Sequence, residues 1–214
     1  MNRKYTFKLI ICIWAILGVN GVLSAQRFGG GLELSANASQ IDGDFSAGYN
    51  RIGFNATLVG IIHIKTRTDL HVGLSYSTRG ALSSFLAYNQ QQHTHISLQY
   101  VDVPITIHLK DWLQESNYFK IHYYAGISVG RLFNSSVRTG GFAIPTEGYR
   151  RTDLGWLAGI SYFFNPQTAL FIQYNRSFNL LYNKNSTPGA TFSSMRGYYL
   201  SVGVHVQTKS KYNE

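Results

Sequence analysis

The 214-residue sequence holds one cysteine and four prolines, and only 14% of its residues are charged. A single thiol excludes a disulfide scaffold. Sparse charge beside an aromatic content of 14% excludes a disordered chain, which is charge-rich and poor in aromatics. Ala, Leu, Glu and Lys do not dominate, which speaks against a helical bundle. No glycine-rich phosphate loop, paired-cysteine metal site or Gly-x-Ser-x-Gly elbow occurs, and no cofactor is implied. Acids are scarce too, 10 against 19 Lys and Arg, for a formal charge of +9. The basic residues form no run, so this balance does not read as nucleic-acid binding. What is abundant is Gly (21), Tyr (15) and Phe (13), the composition of an all-β domain.

Residues 1–25 read as a secretory signal peptide. Arg3, Lys4 and Lys8 make a basic start, residues 9–19 an apolar run, and Gly21, Ser24 and Ala25 supply small residues before an expected cut at Gln26. The apolar run is too short to span a bilayer, and the lone Cys12 lies within it. The expected organisation is a signal at 1–25, one domain over 26–207 and a polar tail over 208–214. The exported chain keeps 16 basic and 10 acidic residues, net +6. It has no run of about 20 apolar residues, but a closed β-barrel also satisfies every backbone group in lipid.

Period-2 alternation recurs in the exported part. Leu70, Val72, Leu74 and Tyr76 share one face, with His71, Gly73 and Ser75 on the other. Residues 119–129, 154–164 and 198–206 repeat the pattern, and 28–38, 52–64, 96–109 and 170–174 do so more weakly. That predicts eight strands, most of the length a tilted strand needs to cross a bilayer. In the fourth, the apolar residues move from even positions (Ile96, Leu98, Tyr100) to odd ones (Val101 to Leu109), with Pro104 just beyond. A bulge is expected there, because a closed barrel has no edge strand to hold a proline. Connections at 66–69, 111–117 and 165–167 are short, and those at 39–50, 79–92, 134–151 and 178–195 are long and polar. Short turns on one side and long loops on the other predict an eight-stranded antiparallel up-and-down transmembrane β-barrel of outer-membrane type, with both termini in the periplasm. A soluble lipocalin-like barrel shares the strand count but turns its apolar face inward. Here the polar face carries Glu33, Asp102, Asp153, Lys120 and five His, a poor lining for an apolar ligand.

The sequence resembles the PorT-like outer-membrane β-barrel proteins of Bacteroidetes. The resemblance rests on Gly31-Leu-Glu-Leu-Ser35, Ser39-Gln-Ile-Asp-Gly-Asp44, Gly48-Tyr-Asn50, Gly53-Phe-Asn-Ala56, Tyr76-Ser-Thr-Arg-Gly80, Tyr100-Val-Asp-Val-Pro104 and Tyr124-Ala-Gly-Ile-Ser128. It covers about 28–206, and one departure is the polar tail after Val206, where the family tends to end in an aromatic. The resemblance implies the fold and an outer-membrane location. Some members take part in type IX secretion and gliding, so secretion-system or envelope proteins are implied partners. No site residue is carried over.

Three function classes stay open: a structural, anchoring or interaction barrel; an enzyme acting on lipid A; and a narrow pore. The enzyme would need a Ser/His/acid set, for which Ser83, Ser84, His93 and His95 offer no placed acid. The pore is disfavoured because eight strands leave room only for side chains. Asp42-Gly43-Asp44 lacks the downstream Glu of a calcium loop and reads as a turn. By parity Arg131, Arg176 and Arg196 point outward above the apolar belt, where Arg can hold lipopolysaccharide phosphates bidentately. His63, His71, His108, His122 and His205 have inward parity near the periplasmic ends of their strands. His63 and His71 are expected to pair across the first short turn, and His108 and His122 across the second. The readings for them are polar filling, a divalent-metal site or a pH-responsive plug.

Overall fold

The computed structural model describes residues 28–42, 51–82, 94–139, 142–144, 150–180 and 196–208. The expected signal peptide, most of the polar tail, Ser83, Ser84 and His93 lie outside them. Alternating residues form nine strands: β1 (Phe28–Asp42), β2 (Arg51–Lys65), β3 (Thr68–Leu82), β4 (Thr94–Leu113), β5 (Phe119–Thr139), β6 (Phe142–Ile144), β7 (Thr152–Asn165), β8 (Thr168–Ser177) and β9 (Arg196–Gln207). β6 is a short hairpin partner of the far end of β5. The other eight pair antiparallel in the order β4-β3-β2-β1-β9-β8-β7-β5, and the β4–β5 pairing closes the ring. The fold is a closed eight-stranded antiparallel barrel, as its periodicity predicts.

One face of the wall is an apolar belt. Leu34, Leu58, Val72, Leu74, Ile107, Ile127, Ile160, Ile172, Val202 and Val204 are all exposed on the outer side. The inner face alternates with them and is mostly polar. A soluble protein rarely exposes so continuous an apolar surface, whereas a barrel in lipid needs it.

The expected parity switch in β4 does not exist. Even positions face inward from Ile96 to Lys110, and Val101, Val103, Ile105, Ile107 and Leu109 face outward throughout. The sequence changes its pattern because the lumen changes its chemistry. At the end away from the short turns Ile41, Ala81, Ile96, Leu98 and Tyr100 pack into a buried apolar cluster inside the barrel. A bulge is present, but it belongs to β5: Gln99 faces Asn134 and Tyr100 faces Leu132, leaving Phe133 as the extra residue. Pro104 keeps its register with Ser128 of β5, while its β3 side shows a gap in the ladder between Val72–Ile105 and Ser75–Asp102. The proline ring fits because Gly73 stands opposite, where a Cβ would lie 2.9 Å from the ring Cγ.

Two further expectations shift at strand ends. Lys120 is predicted on the inner face and Phe119 on the outer one. Instead Phe119 is buried, and the Lys120 ammonium lies 5.2 Å from the Trp112 ring centre and 5.5 Å from that of Tyr162. Trp112 adopts φ 59°, which breaks the alternation just before the turn. The regions read as long loops are also shorter than expected, since β1, β3 and β5 run on to Asp42, Leu82 and Thr139.

The belt generates a direct expectation. Val202→Arg or Leu74→Arg should cost about 2–4 kcal/mol near the bilayer midplane, read as a shift of the urea unfolding transition in lipid vesicles. An effect well below that range would place this face away from lipid.

Candidate lumen network and outer rim

The lumen is filled in layers. At the turn end, Asp69 of β3 holds His63 of β2 (Nδ1 to Oδ1, 3.0 Å) and Lys110 of β4, whose Nζ donates to the same oxygen at 3.0 Å. His63 therefore pairs with Asp69, and His71 faces Ile61, rather than the two imidazoles facing each other. The cause is a bulge at Ile64: a two-residue turn places Lys65 opposite Thr68, and the extra residue moves the ladder by one step. The second hairpin is displaced likewise, with His108 opposite Tyr124 and Lys110 opposite His122.

All five inward-parity histidines are buried in the lumen, as alternation predicts. Above the ion pairs, four aromatic rings form a file. His108 stacks on Tyr124 (4.5 Å between centres) and on His71 (3.6 Å), and His71 lies 6.0 Å from His205. His205 Nδ1 meets Glu33 Oε1 at 2.9 Å, and Thr106 Oγ1 meets His108 Nε2 at 2.9 Å. Neither ring nitrogen of His71 has a hydrogen-bond partner. Nearly parallel rings send their in-plane lone pairs along separate planes, whereas a metal needs them to converge. Among the described residues no three His, Cys, Asp or Glu side chains converge on a point that could hold an ion. His71 and His108 help line a cavity of about 40 Å³, together with Glu33, Thr57, Ser75, Asp102 and Tyr124.

Over this cavity stands Arg79 of β3. Its guanidinium contacts Asp102 of β4 through Nη2, donates from Nη1 to Asp153 of β7 at 3.0 Å and from Nε to Ser77 at 3.0 Å. The rings of Tyr100 and Tyr199 flank it at 4.6 and 4.7 Å. Ser77 and Ser177 donate in turn to the two carboxylates. Asp102 thus lies on the inner, polar face, as its parity predicts, and is held in a network there. Arg79 was legible only as an outer-half arginine, since its segment reads as loop. Continuing the odd-numbered inward parity of Asp69, His71, Ser75 and Ser77 by one step would have found it.

On the outer surface Arg131, Arg176 and Arg196 share the outward parity of the belt. Arg131 Nη1 reaches Thr152 Oγ1 at 3.4 Å, and Arg176 lies 5.9 Å from the centre of the Tyr198 ring. Trp156, Tyr174 and Tyr198 form a row across β7, β8 and β9, with successive centres 5.4 and 6.5 Å apart. Arg176 sits in that row, opposite Trp156 on one side and Tyr198 on the other. Such amphipathic rings belong at a membrane–water boundary. Ser83, Ser84 and His93 lie outside the described residues, and of His95 only the backbone is described, opposite Leu82 and Arg138.

Removing one partner of a buried ion pair leaves the other charge uncompensated, at about 3–5 kcal/mol. Arg79→Met should therefore lose about that much stability in urea unfolding. Adding Asp102→Asn and Asp153→Asn should recover most of it; a triple variant as unstable as the single one would show that packing, not charge, sets the loss.

The structure is similar to that of neisserial surface protein A, with a TM-score of 0.52 at 17% identity, covering 83% of this chain and 96% of that one. It is also similar to Ail, the attachment invasion locus protein of Yersinia pestis, with a TM-score of 0.48 at 12% identity, covering 85% and 99%. No curated protein matches the chain in sequence. The outer membrane protein beta-barrel domain family matches residues 24–183, three quarters of the sequence, and with the closed barrel and its apolar belt this establishes that the chain belongs to that family of outer-membrane barrels.

Proposed function

We propose that the protein is a structural and interaction barrel of the outer membrane, neither an enzyme nor an open pore, which works through its outer surface. The observation that carries this reading is the filled lumen. Ion pairs, stacked imidazoles and an apolar cluster occupy it, with cavities of about 10, 20 and 40 Å³ between the described residues. Eight-stranded barrels have an interior that side chains just fill. The chemistry inside is spent on pairing its own charges, which supports a scaffold role. In this reading residues 1–25 export the chain, both termini lie in the periplasm, and the long connections face outward. The PorT-like resemblance supports an accessory part in secretion or envelope assembly, with other envelope proteins as partners. Cysteine labelling tests the orientation: Ser136→Cys should react with an impermeant reagent in intact cells and Thr68→Cys should not; the reverse pattern would invert the barrel.

The anchoring partner in this proposal is lipopolysaccharide. Arg131, Arg176 and Arg196 stand just above the belt on its outward side, and Arg176 is set among girdle aromatics. A guanidinium grips a phosphate through two parallel hydrogen bonds, and its hydrocarbon stem tolerates the apolar edge beneath. Changing all three to Gln should cut the lipopolysaccharide that co-purifies with the folded barrel several-fold, measured by mass spectrometry; an unchanged amount rejects the contact.

A further inference from the structure

The end of the barrel that carries the short turns has an aromatic row of its own. Trp112 of β4 and Tyr162 of β7 stand on either side of Lys120 of β5, whose Nζ lies 5.2 and 5.5 Å from their ring centres. Phe164 continues the row, its ring centre 5.3 Å from that of Tyr162. All three rings are exposed, as at a membrane–water boundary. The chain departs from regular strand geometry to build this row. Trp112 takes φ 59°, a conformation that bulky residues rarely adopt, and Asp111 Oδ1 accepts the Trp112 amide hydrogen at 2.8 Å. His122 and Tyr124, the next even-numbered residues of β5, are buried in the lumen, yet the Lys120 ammonium lies among the outer rings.

That ammonium is uncompensated. Among the described residues it has no acid within 4.0 Å and no hydrogen-bond acceptor. The two ring faces favour the charge but leave its three N–H donors unused. Its depth shows what can take them. Lys120 and Arg131 lie 11 residues apart on β5, about 37 Å along a strand and about 28 Å across a membrane at the tilt of such barrels. The apolar band of an outer-membrane barrel is about 25 Å tall, so these two residues mark its opposite boundaries. On the belt side of Lys120, Leu109, Tyr123 and Ile160 stand in register across β4, β5 and β7, all exposed.

We propose that Lys120, framed by Trp112 and Tyr162, binds the phosphodiester of an anionic glycerophospholipid whose acyl chain lies along Leu109, Tyr123 and Ile160. An ammonium with free donors calls for an anionic oxygen, and the adjoining apolar track calls for a chain attached to it. The frame already holds a cation, so a zwitterionic headgroup would bring a second positive charge to the same place. The site rests on the membrane placement of the belt and not on the lipopolysaccharide contact, which belongs to the other end.

The test uses the full-length barrel refolded in phosphatidylcholine vesicles. Trp14→Phe and Trp156→Phe leave Trp112 as the one tryptophan, and a brominated lipid quenches it only on contact. Brominated phosphatidylglycerol should quench about fivefold more effectively per molecule than brominated phosphatidylcholine, the gain from one basic residue facing an anionic lipid. Lys120→Gln should abolish that preference and Lys120→Arg should keep it. Equal quenching by the two lipids would overturn the proposal. So would a preference that survives Lys120→Gln, which would assign it to the net charge of the barrel. Exchanging chloride for inorganic phosphate at constant ionic strength should leave the preference unchanged; its loss would show a site for free phosphate and overturn the assignment to lipid. Quenching by neither lipid would remove this end of the barrel from the membrane, and the proposal with it.

Discussion

The constraint on which this structure rests is that a backbone in lipid must satisfy its own hydrogen bonds. Closure is the consequence. β1 meets β9 over a register running from Gly31–Gln207 to Asp42–Arg196, and β4 meets β5 over most of their length. Once the ring of eight is closed, the circumference is fixed and so is the space within. The interior of a ring of this size is just wide enough for side chains to fill, so every inward side chain must fit beside those of the opposite wall. The alternation that turns Leu74 and Val202 to lipid forces Ser75 and Ser201 into that space.

Closure also decides the electrostatics. Charged groups inside a barrel cannot retreat to bulk water, and an unpaired buried charge is far costlier than a paired one. The acids of the lumen accordingly each have a partner: Asp69 has Lys110 and His63, Glu33 has His205, and Asp102 and Asp153 divide Arg79. Histidine suits the remaining positions because a neutral imidazole fills space as an aromatic ring and still accepts or donates one hydrogen bond. His108 does both, stacking on His71 and Tyr124 while meeting Thr106. The file of rings is thus a packing solution. It also explains why sequence proximity to the turns did not translate into metal geometry.

Much of the fold was legible because a strand has the simplest of periods. Leu70, Val72 and Leu74 mark the lipid face without reference to any partner, and eight such segments with alternating connection lengths leave few topologies. The inward parity of all five histidines came from the same rule. What failed was whatever depended on pairing between strands. The two-residue turn and the extra residue at Ile64 together move His63 from His71 to Asp69, and nothing in the local sequence distinguishes that turn with a bulge from a three-residue one. The other failure was chemical. Alternation alone assigns apolar residues to the lipid face, so Ile96, Leu98 and Tyr100 mimic a broken strand. They are inside, because a lumen that is polar at mid-depth is closed by an apolar cluster at its mouth.

Arginine shows how the same constraint assigns opposite roles to one residue type. Arg79 and Arg176 both stand in the outer half of the barrel, and composition alone cannot separate them. The odd-numbered residues of β3 face the lumen, so Arg79 meets two carboxylates and two tyrosine rings and is used up in joining three walls. The even-numbered residues of β8 face outward, so Arg176 stands at the edge of an aromatic girdle, 5.9 Å from the centre of the Tyr198 ring. A guanidinium paired with two buried acids is fixed by electrostatics, whereas one at an interface is held mainly by its stem and a ring face. The inner arginine therefore belongs to the integrity of the barrel, and the outer ones are those proposed to meet lipopolysaccharide. Strand parity, not residue identity, draws that line.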